Sequence, residues 1–182
     1  IRKPAMYDGI RHFLFILPPI FIFSGFALEF VFDLLERRFA ISWLYAAIIL
    51  LLILPGVMGI IRLHPYEYTY YNSFVGGTRN AFRKYETDYW LTCYKEAVED
   101  FNRSISGPTN LYVQREAYIA GYYANKDIAV HEVRGEANQV QSGDYLLVNS
   151  RTNEDRRILK NVTPLIQIGR DGALFCTIGR IP

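Results

Sequence analysis

Two uninterrupted apolar stretches, separated by a short charged linker, constrain this chain more than any other feature. Residues 13–32 read FLFILPPIFIFSGFALEFVF and carry one charge, Glu29; residues 41–61 read ISWLYAAIILLLILPGVMGII and carry none. At about 1.5 Å of rise per residue, each makes roughly 30 Å of helix, the thickness of a hydrocarbon core. The second stretch has no polar stripe at helical spacing, so its helix is apolar all round. A water-soluble core rarely needs two such helices side by side, and the expected fold begins with two transmembrane helices. A buried helical hairpin in a large soluble protein is the plainer alternative. The first stretch does not read as a signal peptide, because no small-residue cleavage site follows it and a second span comes at once.

Pro18-Pro19 and Pro55-Gly56 are expected to break or kink the two helices. Broken spans persist in lipid where neighbouring helices satisfy the freed backbone groups, so the pair is expected to be the edge of a larger bundle, with further helices preceding Ile1. Arg37 and Arg38 in the linker 33–40, against Arg2, Lys3, Arg11 and Arg62 outside it, slightly favour cytoplasmic ends and an external linker. Tyr7 and the tyrosines of 66–71 at one boundary, with Trp43 and Tyr45 at the other, form an aromatic belt, which sets no direction.

Beyond His64 the composition changes. The segment 64–90, HPYEYTYYNSFVGGTRNAFRKYETDYW, is dense in aromatic residues and reads as an irregular interfacial connector, with ring edges wet and ring faces dry. Residues 93–105 repeat apolar side chains at Ala97, Val98, Phe101 and Ile105, a helical stripe ended by Ser106-Gly107-Pro108. Strands are expected at 110–114, 128–133 and 145–149, and short helices at 116–125 and 153–160. Two apolar runs around Asp171-Gly172 make a terminal β-hairpin. Strands alternating with helices give a small soluble α/β domain over 91–182, with a parallel core and an antiparallel edge.

Formal charge is +2, with 20 Lys and Arg against 18 Asp and Glu, which lacks the basic excess of a nucleic-acid module. Hydrophobic residues make up 51% of the chain, too many for a disordered one. Cys93 and Cys176 read either as a disulfide, in an oxidising compartment, or as two buried thiols. The histidines His12, His64 and His131 are scattered without partners at ligand spacing, and there is no dinucleotide or phosphate-loop motif, so no metal or cofactor is identifiable.

Arg11-His12 stands where the first span begins. A guanidinium fork suits phosphate oxygens, so this pair is the candidate lipid-phosphate contact; the plainer reading is a snorkelling anchor. Glu67, Glu86 and Asp88 lie among tyrosines. Tyr7, Tyr68 and Trp90 could stack on a sugar or acceptor while Glu67 and Asp88 accept its hydroxyls, or the acids could simply pin the connector by hydrogen bonds.

The strings YDGIRHFLFILPPIFIFSG at 7–25, HPYEYTYYNSFVGG at 64–77 and KYETDYWLTCYKEAVEDFN at 84–102 resemble the last part of prokaryotic GT-C-type membrane glycosyltransferases related to the dolichyl-phosphate-mannose protein mannosyltransferases. The likeness covers residues 7–102 and is a general one beyond. It implies transfer of a sugar from a polyprenyl-phosphate donor to an acceptor at the extracytoplasmic face of a prokaryotic cell membrane. It also implies that 64–182 is extracytoplasmic and the linker 33–40 cytoplasmic, against the Lys/Arg count. The family's catalytic acid lies in a loop near the N-terminus of the intact enzyme, which no residue here matches, so no catalytic residue is carried over. The expectation is that this segment supplies lipid-phosphate contacts and a capping or acceptor-binding domain. A membrane-anchored α/β interaction or sensing domain without enzymatic activity is the first rival; a transporter subunit is the second, weakened by the absence of a charged or polar midplane residue in 41–61.

Overall fold

The computed structural model describes residues 9–39 and 43–182, with side chains described at 13–37 and from Trp43 onward. The chain divides into two compact units, Ile1–Ile53 and Leu54–Pro182.

A 3-10 segment, Gly9–Ile16, leads into helix α1, Leu17–Phe39, and helix α2 spans Trp43–Leu63. Both are long and apolar enough to cross a membrane. Their apolar side chains point outward: Phe23 is 72% exposed and Leu51 71%. Within the first unit the helices touch where the Phe32 and Tyr45 rings meet edge to face at 4.9 Å and the Tyr45 hydroxyl donates to the Phe32 carbonyl.

The break or kink expected near the start of the first helix falls where the 3-10 segment gives way to α1, and Pro18-Pro19 occupies the first turn after that change, where the fixed φ of proline suits a helix start. The segment 33–40, expected as a linker, is helical as far as Phe39, because DLLERRF is made largely of good helix formers. Helix α2 also runs through Pro55 without ending there.

The connector is less irregular than expected. It holds 3-10 turns at Glu67–Thr69 and Ser73–Val75 and a short helix α3, Gly77–Ala81. Asn72 starts the second turn by accepting from the Phe74 and Val75 amides.

Helix α4, Cys93–Ser104, then precedes strand β1, Thr109–Val113, helix α5, Ala117–Tyr123, and strand β2, Ile128–Glu132. The short helix α6, Val133–Glu136, which the sequence reading did not anticipate, leads to β3, Tyr145–Asn149. The helix expected over 153–160 is only α7, Asp155–Ile158. Thr152 and Asn153 just before it adopt positive φ and cannot extend it. Strands β4, Thr163–Arg170, and β5, Ala173–Arg180, close the chain as the expected hairpin.

The five strands form one sheet in the order β2-β1-β3-β5-β4. β1 pairs in parallel with β2 and β3, whereas β5 pairs antiparallel with β3 and β4. Both faces are covered. Ala97, Val98 and Phe101 of α4 are fully buried and belong with Leu111, Val113, Leu147, Phe175 and Ile178 to the main core. Leu146 and Val148 point the other way and pack with Tyr112, Val140, Ile158 and Leu159. The alternation along β3 divides its side chains between two cores, which is why YLLVN reads as a continuously buried run.

This order also fixes where a site can form. From β1 the chain crosses to β2 on one side and returns to β3 on the other. The carboxyl ends of β1 and β3 therefore flank a topological switch point, the place where open α/β sheets hold ligands.

Candidate functional site

The aromatic segment 82–91 is built onto the carboxyl end of β3, and Asp88 is its centre. Asp88 is 0% exposed. One carboxylate oxygen accepts from the Thr92 amide at 3.0 Å, the Thr92 hydroxyl at 2.9 Å and the Tyr68 hydroxyl. The other accepts from the Cys93 amide at 3.1 Å and from Asn149 Nδ2 at 3.2 Å. The acid thus caps the first amides of α4 and ties them to the last residue of β3. Its acceptor positions are filled from within the chain. Of the two roles open to this acid, the geometry is that of pinning the connector.

Two residues earlier, Glu86 faces outward. Its carboxylate accepts from Arg151 Nε at 3.1 Å, and the Arg151 guanidinium lies 3.8 Å from the centroid of the Tyr89 ring. Burial works against the Arg151 charge, but the hydrogen bond and charge of Glu86 outweigh it and hold its pKa above the ordinary value. Trp90 meets Tyr89 edge to face at 5.0 Å and is 60% exposed. Tyr71 stacks on Tyr85 and donates to the Glu86 carbonyl. The result is a surface on which the exposed Trp90 ring stands beside a Glu86–Arg151 pair that keeps one carboxylate oxygen and two guanidinium nitrogens unspent, a combination that can meet a hydroxylated ring with an apolar face.

Behind this surface, backbone in unusual conformations is held by buried charge. Arg83 has φ +74°, and Thr152 and Asn153 have φ near +60°. The Arg83 guanidinium makes a two-pronged pair with Asp155 at 2.6 and 2.7 Å and also donates to Asn153. Asn153 returns a bond to the Arg83 carbonyl. At the end of β1, Arg115 pairs with Glu154 at 2.8 Å, and Gln114 donates to the same carboxylate. Arg115 and Gln114 hold the Glu154 carboxyl below the usual carboxylate range, against a smaller upward push from burial.

The residues singled out from sequence fall in three places. Tyr68 and Asp88 meet directly; partial burial and then the Asp88 charge push the Tyr68 phenol above its ordinary value. Trp90 lies on the exposed surface next to them in sequence. Glu67 is engaged elsewhere, with His64 Nδ1 at 2.6 Å. Tyr7 lies outside the described residues, as do the side chains of Arg11 and His12, whose backbone belongs to the 3-10 segment. Sequence reasoning missed Arg83, Arg115, Asn149, Arg151, Glu154 and Asp155. Their partners are 39 to 72 residues distant along the chain, and no local spacing announces them. Among the described residues no group of three or more His, Cys, Asp or Glu side chains is placed to hold a metal ion.

Compared with models of protein families, with curated proteins and with solved structures, the chain matches none.

Proposed function

We propose that this chain is the C-terminal part of an integral-membrane glycosyltransferase. In this reading α1 and α2 cross the membrane, residues 64–182 stand at its extracytoplasmic face, and the intact enzyme moves a sugar from a polyprenyl-phosphate donor to an acceptor. The acceptor hydroxyl oxygen attacks the anomeric carbon and gives up its proton to a base of the intact enzyme, while the bond from that carbon to the phosphate oxygen breaks and the lipid phosphate leaves with the electrons. A cation close to that phosphate stabilises the developing charge by several kcal/mol, the part we assign to Arg11 with His12 assisting.

One observation carries the assignment of the α/β unit: the Glu86–Arg151–Tyr89–Trp90 surface at the carboxyl end of β3. It sets the exposed Trp90 ring beside hydroxyl partners on Glu86 and Arg151, which an anchor has no need of. The sequence likeness at 64–77 and 84–102 supports the same reading. Asp88, whose two carboxylate oxygens are filled from within the chain, takes no part in sugar contact in this proposal, whereas Glu67, like Glu86, has one oxygen engaged by a neighbour and one left over.

The test is sugar transfer by the full-length enzyme in membranes. Trp90→Ala should lower transfer about ten-fold through a higher KM for acceptor or donor, and Arg11→Ala should abolish it, each with membrane insertion intact. Transfer unchanged in both variants favours the rival, a non-enzymatic membrane-anchored interaction or sensing domain.

A further inference from the structure

Arg11-His12 at the start of the first helix is the phosphate contact assigned above. The unit 54–182 offers a second place. A cavity of about 360 Å³ lies between the last turns of α2 and the connector. Pro55, Met58 and Gly59 of α2 make its apolar wall; Arg62, Arg79 and Asp171 are its charged groups. Among the described residues Arg62 and Arg79, like Arg134, Arg156, Arg157 and Arg180, are in no ion pair; what sets the two apart is that they line one cavity.

The walls are fixed. The Tyr70 ring packs against Gly59 in space that any Cβ would occupy, closing the connector onto the helix. Leu63 and Tyr66 are buried, and Arg170 of β4 holds the His64 carbonyl at 3.1 Å. Arg79 is guided by the β4–β5 turn: its Cγ and Cδ pass 3.0 Å from where a Cβ on Gly172 would stand, and Gly172 has φ +75°. Asp171 at the same turn lies against Gly77.

Two guanidinium groups against one carboxylate leave one net positive charge in the cavity. Arg62 lines the cavity from α2, and Arg79 lines it from α3. We propose that this cavity holds a phosphate group, with Arg62 and Arg79 as its two donors. Each guanidinium presents a planar fork to phosphate oxygens. The proposal rests on reading the chain as a membrane protein that handles a phosphorylated lipid, and it adds to the contact assigned to Arg11 a second phosphate-binding place in this segment. A snorkelling Arg62, the plainer account of a cation ending an apolar helix, needs neither Arg79 nor the cavity.

The experiment is calorimetric titration of the full chain in phosphatidylcholine nanodiscs with farnesyl phosphate, farnesol and inorganic phosphate. Farnesyl phosphate should bind and farnesol should not, and Arg62→Gln and Arg79→Gln should each weaken binding about ten-fold or more. Arg62→Lys, which keeps a snorkelling charge but loses the fork, should also weaken it. Arg134→Gln, an exposed position on α6, should change nothing. Inorganic phosphate binding as tightly as farnesyl phosphate, and lost in the same variants, supports the phosphate site and makes its source soluble. Binding of neither phosphate, or binding indifferent to Arg62→Gln and Arg79→Gln, overturns the site. Phosphate binding retained in an intact protein that transfers no sugar removes the transferase reading and leaves the site standing. Normal transfer with binding untouched by the arginine variants does the reverse.

Discussion

The helical pair and the sheet layer use the same side chains in opposite ways. In α1 and α2 the Phe, Leu and Ile residues are outside; in the α/β layer they are inside, with Phe101 at 0% exposure. Water can organise the second arrangement, because burying an apolar side chain is worth about 1.5–3 kcal/mol. It cannot organise the first, where the two apolar spans leave their side chains uncovered. Contiguous apolar surface of that extent calls for another solvent or a partner. The contrast teaches that composition alone says how much apolar surface a segment has; pattern and covering layers decide what it is for.

The sharpest way to break this contrast is to make the same substitution on both sides of it. Phe101→Ala should destabilise the α/β unit by about 3–5 kcal/mol, because it empties a filled space between α4 and the Tyr145 ring. Phe23→Ala should move the stability of that unit by less than about 0.5 kcal/mol. Both are read from denaturant titrations in detergent. Equal effects would mean that Phe23 is packed against something in the protein.

A charge tests what surrounds the helices. In the membrane reading, Leu51→Arg places a guanidinium deep in the second span, at a cost of about 2.5–3.5 kcal/mol for insertion. The fraction of chain integrated into microsomal membranes should fall accordingly. Integration unchanged by this arginine would show that Leu51 faces water or a protein partner.

Within the sheet layer, two acids two residues apart repeat the contrast on a smaller scale. Asp88→Asn replaces an acceptor by a donor among groups that all donate to it, and should cost about 2 kcal/mol. Glu86→Gln loses an exposed pair with Arg151 and should cost under about 1 kcal/mol while weakening acceptor binding. A reversed order in thermal denaturation would dismiss Asp88 as the cap of α4.

How far the sequence reveals this follows from whether a feature is local. The stripe Ala97, Val98, Phe101 predicts α4 because helix period and burial coincide within a few turns. Asp171-Gly172 predicts the hairpin because the turn needs positive φ, and both residues have it. The end of an apolar run does not mark the end of a helix: residues 33–39 lie between the two apolar stretches, yet they are good helix formers and continue α1. Local pattern carried nothing about the site behind Trp90. Arg83 meets Asp155, and Glu86 meets Arg151, only after the sheet brings the end of β3 beneath the connector. Cys93 and Cys176 show the same limit. Both are free and buried, and burial raises each thiol pKa, so an impermeant thiol reagent would not reach them in the folded chain. Sidedness is better probed with a cysteine at Tyr122, which is exposed on α5.

The smallest expected effect is one of pH, and it separates the two ends of the switch point. Glu154 is held below the usual carboxylate range by Arg115, so the folded chain binds its proton less tightly than the unfolded chain does. The pair therefore adds stability that is fully present above the unfolded value, about 4.3, and is lost as pH falls through the lower folded value. Glu154→Gln should remove that contribution, less than about 1 kcal/mol at pH 7 for a partly exposed pair. Denaturation midpoints should then fall less steeply between about pH 5 and 3 in the variant than in the parent, converging with it at the acid end. A variant curve parallel to the parent's throughout would mean that Arg115 and Gln114 hold Glu154 no more tightly than water does, and would leave Arg83–Asp155 as the pair that fixes the loop after β3.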